Sequence, residues 1–468
     1  MTQRVVIAGG GITGLSTAYY VRKSAEAAGR DIEILIIEKS GQLGGKVQTE
    51  TAQGLIIEGG PDSFLARKAW LSDLARELGL PLVGTRPNLN RTYIWHAGRL
   101  VPLPLGMQIM IPTKWVPFML TPLISIPGKL RAMLDLFHPK GKEPGDQSMG
   151  SFVHRHFGTE VLDRVAAPML GGIYAGDPYE MSLEATFPMF LAMERKYGSL
   201  LLGAKKSAPP KGPTGSAFVT VETGLRSIID ALINAMPDVK FELGREVNGV
   251  ARVGQGFEVS LDDGRHLPAD AVVLATPGYV SAGLIRDLVP EAARELGEVQ
   301  YNSAVVVSLA YRKEDVPRPL DGSGFLVPKG EPLNITASTW VTTKWPHAGN
   351  GDLALIRGYL GRSGDKLDWV EAADEEILAA TRKDLQTTMG IEAEPVLSRI
   401  YRWPLSLPQY RVNHLRRAER IQHRMEGQPG LYLAGAAFRG AGLPDCVREA
   451  GEAAERLAHD LSWEPAQG

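Results

Sequence analysis

Val5-Val6-Ile7-Ala8-Gly9-Gly10-Gly11-Ile12-Thr13-Gly14-Leu15 is an apolar run that stops in glycines and resumes with helix-like spacing. Gly9, Gly11 and Gly14 fit G-x-G-x-x-G, the turn of a strand–turn–helix unit that wraps a dinucleotide pyrophosphate. The first glycine permits the tight turn, the second lets backbone approach the phosphates, and the third lets helix and strand pack closely. The stretch Gly9, Gly10, Gly11, Ile12, Thr13 and Gly14 then lies where free N–H groups and the helix dipole favour negative charge. A second strand-like run, Ile32-Glu33-Ile34-Leu35-Ile36-Ile37, ends in Glu38, about 20–25 residues past the last glycine. An acidic residue at that place accepts hydrogen bonds from the adenosine ribose.

The bulk composition sets outer bounds. A chain of 468 residues is too long for one ordinary core, so two or three domains are expected. With 44% apolar and 22% charged residues and a net charge of −2, it reads as a soluble globular protein with no basic field for nucleic acid. The single cysteine, Cys446, excludes an internal disulfide and fits a reducing cytoplasm. Nine histidines are scattered without metal-ligand spacing, so no metal site is expected. The N-terminus runs straight into the first strand, leaving no room for a signal peptide.

Two more glycine turns follow the acidic strand end. Lys39-Ser40-Gly41-Gln42-Leu43-Gly44-Gly45-Lys46-Val47 brings a second glycine pair, with Lys46 available to a phosphate or to the ligand's ring. Gly59-Gly60-Pro61-Asp62-Ser63-Phe64 ends the strand Leu55-Ile56-Ile57-Glu58. Three such turns at successive strand ends suggest a ligand-lined sheet edge, since open α/β sheets bind ligands outside their strand ends. Residues 66–80 have the spacing of an amphipathic helix with Trp70, Leu71, Leu74 and Leu78 on one face. Arg67 and Lys68 at its start are the first candidates for the counter-charge of an anionic substrate.

Leu100 to Met133 is strongly apolar but carries prolines at 102, 104, 112, 117, 122 and 127. Lys114, Lys129 and Arg131 limit its uncharged runs to 14 residues. A spanning helix needs about 20 apolar residues and tolerates interior proline poorly, so the stretch does not span. Contact with the membrane interface and the wall of a greasy pocket both fit it. Helix is expected over Ser151 to Val165. Pro168 to Asp177, with Gly171, Gly172 and Gly176, implies close approach of backbone to a helix or a flat ligand. Residues 203–216, with Lys205, Lys206, Pro209, Pro210, Lys211, Pro213 and Gly215, read as a linker. Further on, 271–277 reads as a buried strand and 257–270 as a hairpin. Strands over 304–311, 353–359 and 395–403 with a helix over 370–389 suggest a second sheet-bearing domain. Gly430 to Gly435 is a strand entering a glycine turn, and Ala441-Gly442-Leu443-Pro444-Asp445-Cys446 opens a last helix to about Leu461. The N-terminus of that helix can direct its dipole at negative charge on the ligand.

With these pieces assembled, the chain resembles the flavin-dependent amine-oxidase-like superfamily, and within it the bacterial porphyrinogen oxidases of haem synthesis. The resemblance rests on Gly9 to Gly14 with Glu38, on Leu43-Gly44-Gly45-Lys46 with Gly60 to Phe64, and on Leu433-Ala434-Gly435 with Gly442 to Cys446. Gly172-Ile173-Tyr174-Ala175-Gly176-Asp177 and Leu407-Pro408-Gln409-Tyr410 point to the porphyrinogen oxidases in particular.

The resemblance implies an α/β protein with a Rossmann-like FAD domain assembled from residues 1–75, 217–290 and 425–468. A substrate domain would comprise 76–90, 203–216 and 291–424, and a membrane-contacting helical insertion 91–202. One non-covalent FAD per chain is implied. Gly9 to Gly14 would hold its diphosphate, Glu38, Lys39 and the Val247 backbone its adenosine end. Gly45, Lys46, Gly60, Pro61, Asp62, Ser63 and Trp403 would line the flavin, with Gly435, Ala441, Gly442, Leu443 and Pro444 closing over it. Amine oxidases usually have arginine where this chain has Lys46. Lys68 and Arg67 would pair a substrate propionate, and Gly171, Gly172 and Ile173 would approach the pyrroles. The implied activity is conversion of a porphyrinogen to a porphyrin in three two-electron dehydrogenations, with oxygen as acceptor and peroxide as product. No acid–base triad is expected. Coproporphyrinogen III, with four propionates, suits the basic pair, and protoporphyrinogen IX, with two, remains the alternative. An amine oxidase, a carotenoid desaturase or a non-catalytic FAD carrier of the haem pathway are further alternatives. The implied setting is cytoplasmic, with weak membrane-surface contact and docking to other haem-pathway enzymes.

Overall fold

The structure is a computed structural model that describes residues 2–463 except 88, 90, 109, 141–144, 207–214, 363 and 366. It leaves the side chains of Gln108 and Ile173 undescribed. Five parallel strands form its first sheet, in the order Lys240–Leu243, Ile32–Glu38, Gln3–Ala8, Ala271–Leu274, Leu431–Leu433. These runs are β-branched and nearly uninterrupted in hydrophobicity because both faces of the sheet are covered. Side chains alternate between two cores. Val5, Ile7, Ile34, Ile36 and Val273 pack with the first helix (Ile12–Ala27), Arg226–Asn234 and the last helix (Leu443–Asp460). Val6, Ala8, Leu35, Ile37, Val272 and Leu274 pack with the antiparallel strands Val247–Val253, Gly256–Leu261 and His266–Ala269 and with Pro290–Gly297 and His414–Met425. All five strands point the same way, so Gly9, Ala275 and Ala434 leave the sheet at one edge.

A second sheet has seven strands in the order Leu397–Pro408, Tyr301–Arg312, Leu353–Leu360, Ala337–Trp340, Gly324–Leu326, Tyr93–His96, Arg99–Pro102. Its pairings are antiparallel apart from Gly324–Leu326 against Tyr93–His96. The helix Asp374–Met389 packs on it through Ile377, Leu385 and Met389. Tyr93–His96 and Arg99–Pro102, expected at the head of the helical insertion, close this sheet instead. Their alternating apolar residues Ile94 and Val101 bury one face, a pattern that short strands share with turns of helix.

The remaining insertion is helical around its own core, which includes Phe118, Leu123, Phe152, Phe157, Leu170 and Phe190. The helix expected over 151–165 runs from Met149 to Phe157 and stops at Gly158, whose φ of +84° ends it. Short helical turns over Thr159–Ala166 lead into the glycine helix Ala167–Tyr174. The apolar stretch divides between two environments. Met110, Ile111, Phe118, Leu123 and Ile124 are buried, while Val116, Leu120 and Ile126 are 70%, 77% and 70% exposed, and Phe137, just beyond the stretch, is 83% exposed. No helix among the described residues is long and apolar enough to cross a membrane. Residues 203–206 of the expected linker belong to the helix Leu200–Lys206, and 207–214 lie outside the described residues. Trp70 is 42% exposed beneath the Arg448 guanidinium rather than on the buried face of the helix Ala69–Glu77, which Leu71, Leu74 and Ala75 supply.

Candidate active site

Sequence motifs from five parts of the chain meet at the edge where the parallel strands end. A Cβ on Gly14 would overlap the Gly9 carbonyl oxygen, and one on Gly9 would lie 2.9 Å from the Ala275 oxygen, so helix and strands come together only with glycine there. Gly11 differs: nothing lies within 4 Å of where its Cβ would be, which leaves the first turn of the helix open to a ligand. Gly44 donates to the Gly10 carbonyl at 2.8 Å, laying the second glycine turn against the first. Glu38 accepts from the Gly10 and Ser40 N–H groups at 2.7 and 2.8 Å. Each carboxylate oxygen keeps a lone pair for a hydroxyl. Lys39 pairs with Glu246 at 2.8 Å, next to Val247, where a register shift between Val247 and Gly249 distorts the strand. The residues expected at the adenosine end are thus neighbours. This open, glycine-walled cradle ending in an acceptor carboxylate fits the diphosphate and ribose of a dinucleotide.

The expected flavin-lining residues also converge. Gly60 sits so close to the Lys46 carbonyl that a Cβ would overlap it, and the same Cβ would lie 3.7 Å from the Trp403 ring. Trp403 Nε1 donates to the Gly59 carbonyl at 2.8 Å. Lys46 Nζ donates to the Ser406 carbonyl at 2.5 Å. Burial lowers its ammonium pKa although its side chain presents open surface, which together describe a group facing an interior cleft. Thr13 Oγ1 lies 3.6 Å from the Cβ position of Gly435, and the first and last helices pack side by side. Gly442 caps the last helix and is exposed, with Ala441 and Leu443 partly so and Pro444 buried.

Asp62 is more firmly held than its motif suggests. Its carboxylate takes Ser63 Oγ at 2.7 Å and Lys344 Nζ at 3.0 Å, with Arg357 Nη1 at 3.9 Å. Burial alone would raise its pKa, but Lys344 and Arg357 outweigh that and hold it far below the usual carboxylate range. Arg357 is 1% exposed and donates to the Gly60 carbonyl at 2.6 Å. Two cations from the second sheet region therefore brace the turn that carries Gly60 and Pro61. Neither carried a signal in sequence, since lone cations in strand-like or turn-like segments normally read as solvated.

Gln409 Nε2 donates to the Tyr174 carbonyl at 3.0 Å, so the two segments on which the porphyrinogen-oxidase resemblance rests touch. Asn302 Nδ2 donates to the carbonyl of Ala175, which ends the glycine helix at φ +50°. Tyr410 hydroxyl donates to Ala436 at 2.5 Å and accepts from Gly440 at 3.1 Å, tying that side to the cofactor edge. Its ring stacks on His414, whose pKa burial lowers to about 4 and whose neutral ring donates to the Phe438 carbonyl at 2.7 Å. Gly171 has open space at its Cβ position, and Gly172 faces Leu326 at 3.1 Å. The Ile173 side chain lies outside the described residues. Lys68, expected to be available to a propionate, is instead paired with Asp445 at 2.5 Å. Sequence spacing cannot reveal a partner so distant. Arg67 is exposed and makes no ion pair among the described residues. Burial raises the Tyr174 hydroxyl to about 12, Asp445 adding to the rise and Arg67 opposing it.

Away from this edge, His138, His156 and Glu194 come within reach of one another despite their scattered numbering. His156 is fully buried between Asp135 at 2.5 Å and Glu194 at 3.2 Å, and Arg155 holds Glu194 at 2.7 Å. This set of charges braces the helical insertion.

Residues 12–458 match the family model for flavin containing amine oxidoreductases. The coproporphyrinogen III oxidase of Bacillus subtilis (strain 168) is 37% identical over 452 residues, covering 95% of this chain and 96% of that protein. The protein of the same name from Staphylococcus aureus (strain NCTC 8325 / PS 47) is 33% identical over 474 residues, covering 98% and 100%. A solved structure from Exiguobacterium sp. 255-15, provisionally named a protoporphyrinogen oxidase, superposes with a TM-score of 0.88 at 34% identity over 99% of both chains.

Proposed function

The chain belongs to the flavin-containing amine oxidoreductases, and from that footing we propose that it oxidises coproporphyrinogen III to coproporphyrin III in haem biosynthesis. Its FAD is bound non-covalently, one per chain. Gly9 to Gly14 hold the diphosphate, Glu38, Lys39 and the Val247 backbone the adenosine end. Gly45, Lys46, Gly60 to Ser63, Trp403, Gly435 and Ala441 to Pro444 surround the ring system. Non-covalent binding is supported by Cys446, whose thiol burial pushes up to about 11 and keeps out of reach of chemistry. When bound there, FAD would supply the two-electron acceptor chemistry that three successive dehydrogenations need, with oxygen as the final acceptor.

The chain's own residues bind, orient and exclude water. Tyr174 stays neutral at physiological pH and supplies shape and a hydroxyl rather than a base. Gly171, with nothing beside its Cα, admits a flat macrocycle to the main chain. Arg67 and Lys68 supply positive charge for propionates. The observation that carries the substrate class is the hydrogen bond from Gln409 to the Tyr174 carbonyl, which joins the two segments that carry the porphyrinogen-oxidase resemblance. The division into cofactor domain, substrate domain and helical insertion keeps the sequence boundaries except that residues 93–102 join the substrate domain, whose sheet they close, and the helices Pro290–Gly297 and His414–Met425 join the cofactor domain, on whose sheet they pack. We place the enzyme in the cytoplasm, with Val116, Leu120, Ile126 and Phe137 resting at a lipid headgroup boundary beside Lys114.

The test is a paired assay under air of coproporphyrinogen III and protoporphyrinogen IX, following porphyrin fluorescence and peroxide. Faster appearance of coproporphyrin with stoichiometric peroxide is expected. Preference for protoporphyrinogen IX would reassign the substrate, and no porphyrin from either would overturn the reading.

A further inference from the structure

Lys68 and Asp445 are 377 residues apart in sequence and meet at 2.5 Å. The pair is asymmetric: the Asp445 side chain is 3% exposed and the Lys68 side chain 31%. Asp445 is fixed in the first turn of the last helix, where the helix dipole favours an anion even if the ammonium departs. A Cβ on Gly440 would overlap the Asp445 side chain, so the carboxylate is held in place from that side. Lys68, by contrast, ends a flexible four-carbon stem. Arg67, its neighbour in the chain, is exposed. A carboxylate of the protein therefore sits among the cations where a substrate carboxylate is expected.

We propose that Asp445 is a specificity-determining residue that holds Lys68 until a substrate propionate takes the ammonium from it. This rests on the porphyrinogen reading above. One carboxylate replaces another at Nζ; no covalent bond forms and no proton moves. A carboxylated side chain can make that exchange, whereas an ester or vinyl group cannot draw the ammonium away. Asp445 thus lowers affinity for every ligand that needs Lys68 and leaves ligands that do not need it untouched.

The test uses the FAD-loaded enzyme and two probes, coproporphyrin III and its tetramethyl ester, with binding followed by porphyrin fluorescence. Asp445→Asn keeps the side-chain shape and frees Lys68. It is expected to tighten the acid by about tenfold, the size of one charge-assisted hydrogen bond, and to leave the ester unchanged. Lys68→Gln is expected to weaken the acid by about the same factor, and Lys68→Arg to restore most of it. With coproporphyrinogen III the changes should fall on KM rather than kcat. An acid-to-ester ratio in Asp445→Asn equal to that of the native enzyme, or a weaker acid, overturns the proposal. Should that variant fail to retain FAD, an unchanged ratio in Lys68→Gln overturns it equally. A native enzyme that oxidises coproporphyrinogen III and prefers the acid keeps the functional reading intact in that event. One that binds neither probe overturns both.

Discussion

Glu58 offers a quantitative test of how the turn that carries Gly60 is held. Its side chain is 8% exposed and accepts from the Leu225 N–H at 2.8 Å and Thr49 Oγ1 at 2.7 Å. Burial raises its pKa from 4.5 to about 7, against the opposing effect of those hydrogen bonds and of Arg357. In the folded protein it therefore keeps a proton that the unfolded chain has lost between about pH 4.5 and pH 7. The folded state binds more protons in that window, so this group's contribution falls as pH rises through it. Below the window both states are protonated and no penalty exists; above it the penalty is complete. At about 1.4 kcal/mol per pH unit, the penalty reaches about 3 kcal/mol. Glu58→Gln removes the titration but leaves amide hydrogens to satisfy, a cost of about 1–3 kcal/mol at every pH. The decisive quantity is consequently the change of the mutational effect with pH. Urea unfolding of both proteins at about pH 5 and about pH 8, followed by tryptophan fluorescence, gives this difference of differences, in which all other titrating groups cancel. We expect Glu58→Gln to gain about 2–3 kcal/mol relative to the native chain on going from the lower to the higher pH. A mutational effect independent of pH, or one that becomes more destabilising as pH rises, would refute the account of Glu58 as a buried acid poised near neutrality.

Gly14→Ala places a methyl group inside contact distance of the Gly9 carbonyl oxygen. Overpacking at such a backbone contact costs about 1–3 kcal/mol or more, and the purified protein should carry markedly less flavin absorbance per chain; normal FAD content would contradict the helix–strand packing described. Leu120→Asp combined with Phe137→Asp, at positions 77% and 83% exposed, should abolish co-sedimentation with anionic vesicles while solution oxidation of coproporphyrinogen III persists. Unchanged sedimentation would remove the lipid boundary from that face.

The parallel sheet was legible because its strands are buried on both faces and therefore appear as unbroken apolar runs ending in glycine. Gly9 and Gly14 could be read from their spacing since each fills a place where a Cβ would strike backbone. The limits of individual elements were less legible. The helix expected to continue past residue 157 is cut by Gly158, whose positive φ cannot be told from that of a tolerated interior glycine without its surroundings. Tyr93–His96 and Arg99–Pro102 were expected within the helical insertion because the apolar stretch follows them directly. Their partner strand, Gly324–Leu326, lies more than two hundred residues away. The apolar stretch itself admitted two readings, and the structure divides it: Phe118 and Leu123 fill a core while Leu120 and Ile126 face outward.

Charge pairing was the least legible layer, and the reason is physical. A lysine or aspartate in a single sequence has the same appearance whether water or a distant counter-ion neutralises it. Arg357 reaches Gly60 across 297 residues, and Lys68 reaches Asp445 across 377. Each joins a motif that spacing had already identified to a residue that spacing could not select. In both cases one member, Arg357 or Asp445, is almost wholly buried. The turns that line the cofactor edge are consequently held by two different devices. Glycines let the backbone come close, and remote charges then fix it there. The first device limits which residues the motif can contain. The second makes the geometry of the site depend on the relative placement of the two sheets, because Lys344 and Arg357 lie at the second sheet and Asp62 and Gly60 follow strands outside it.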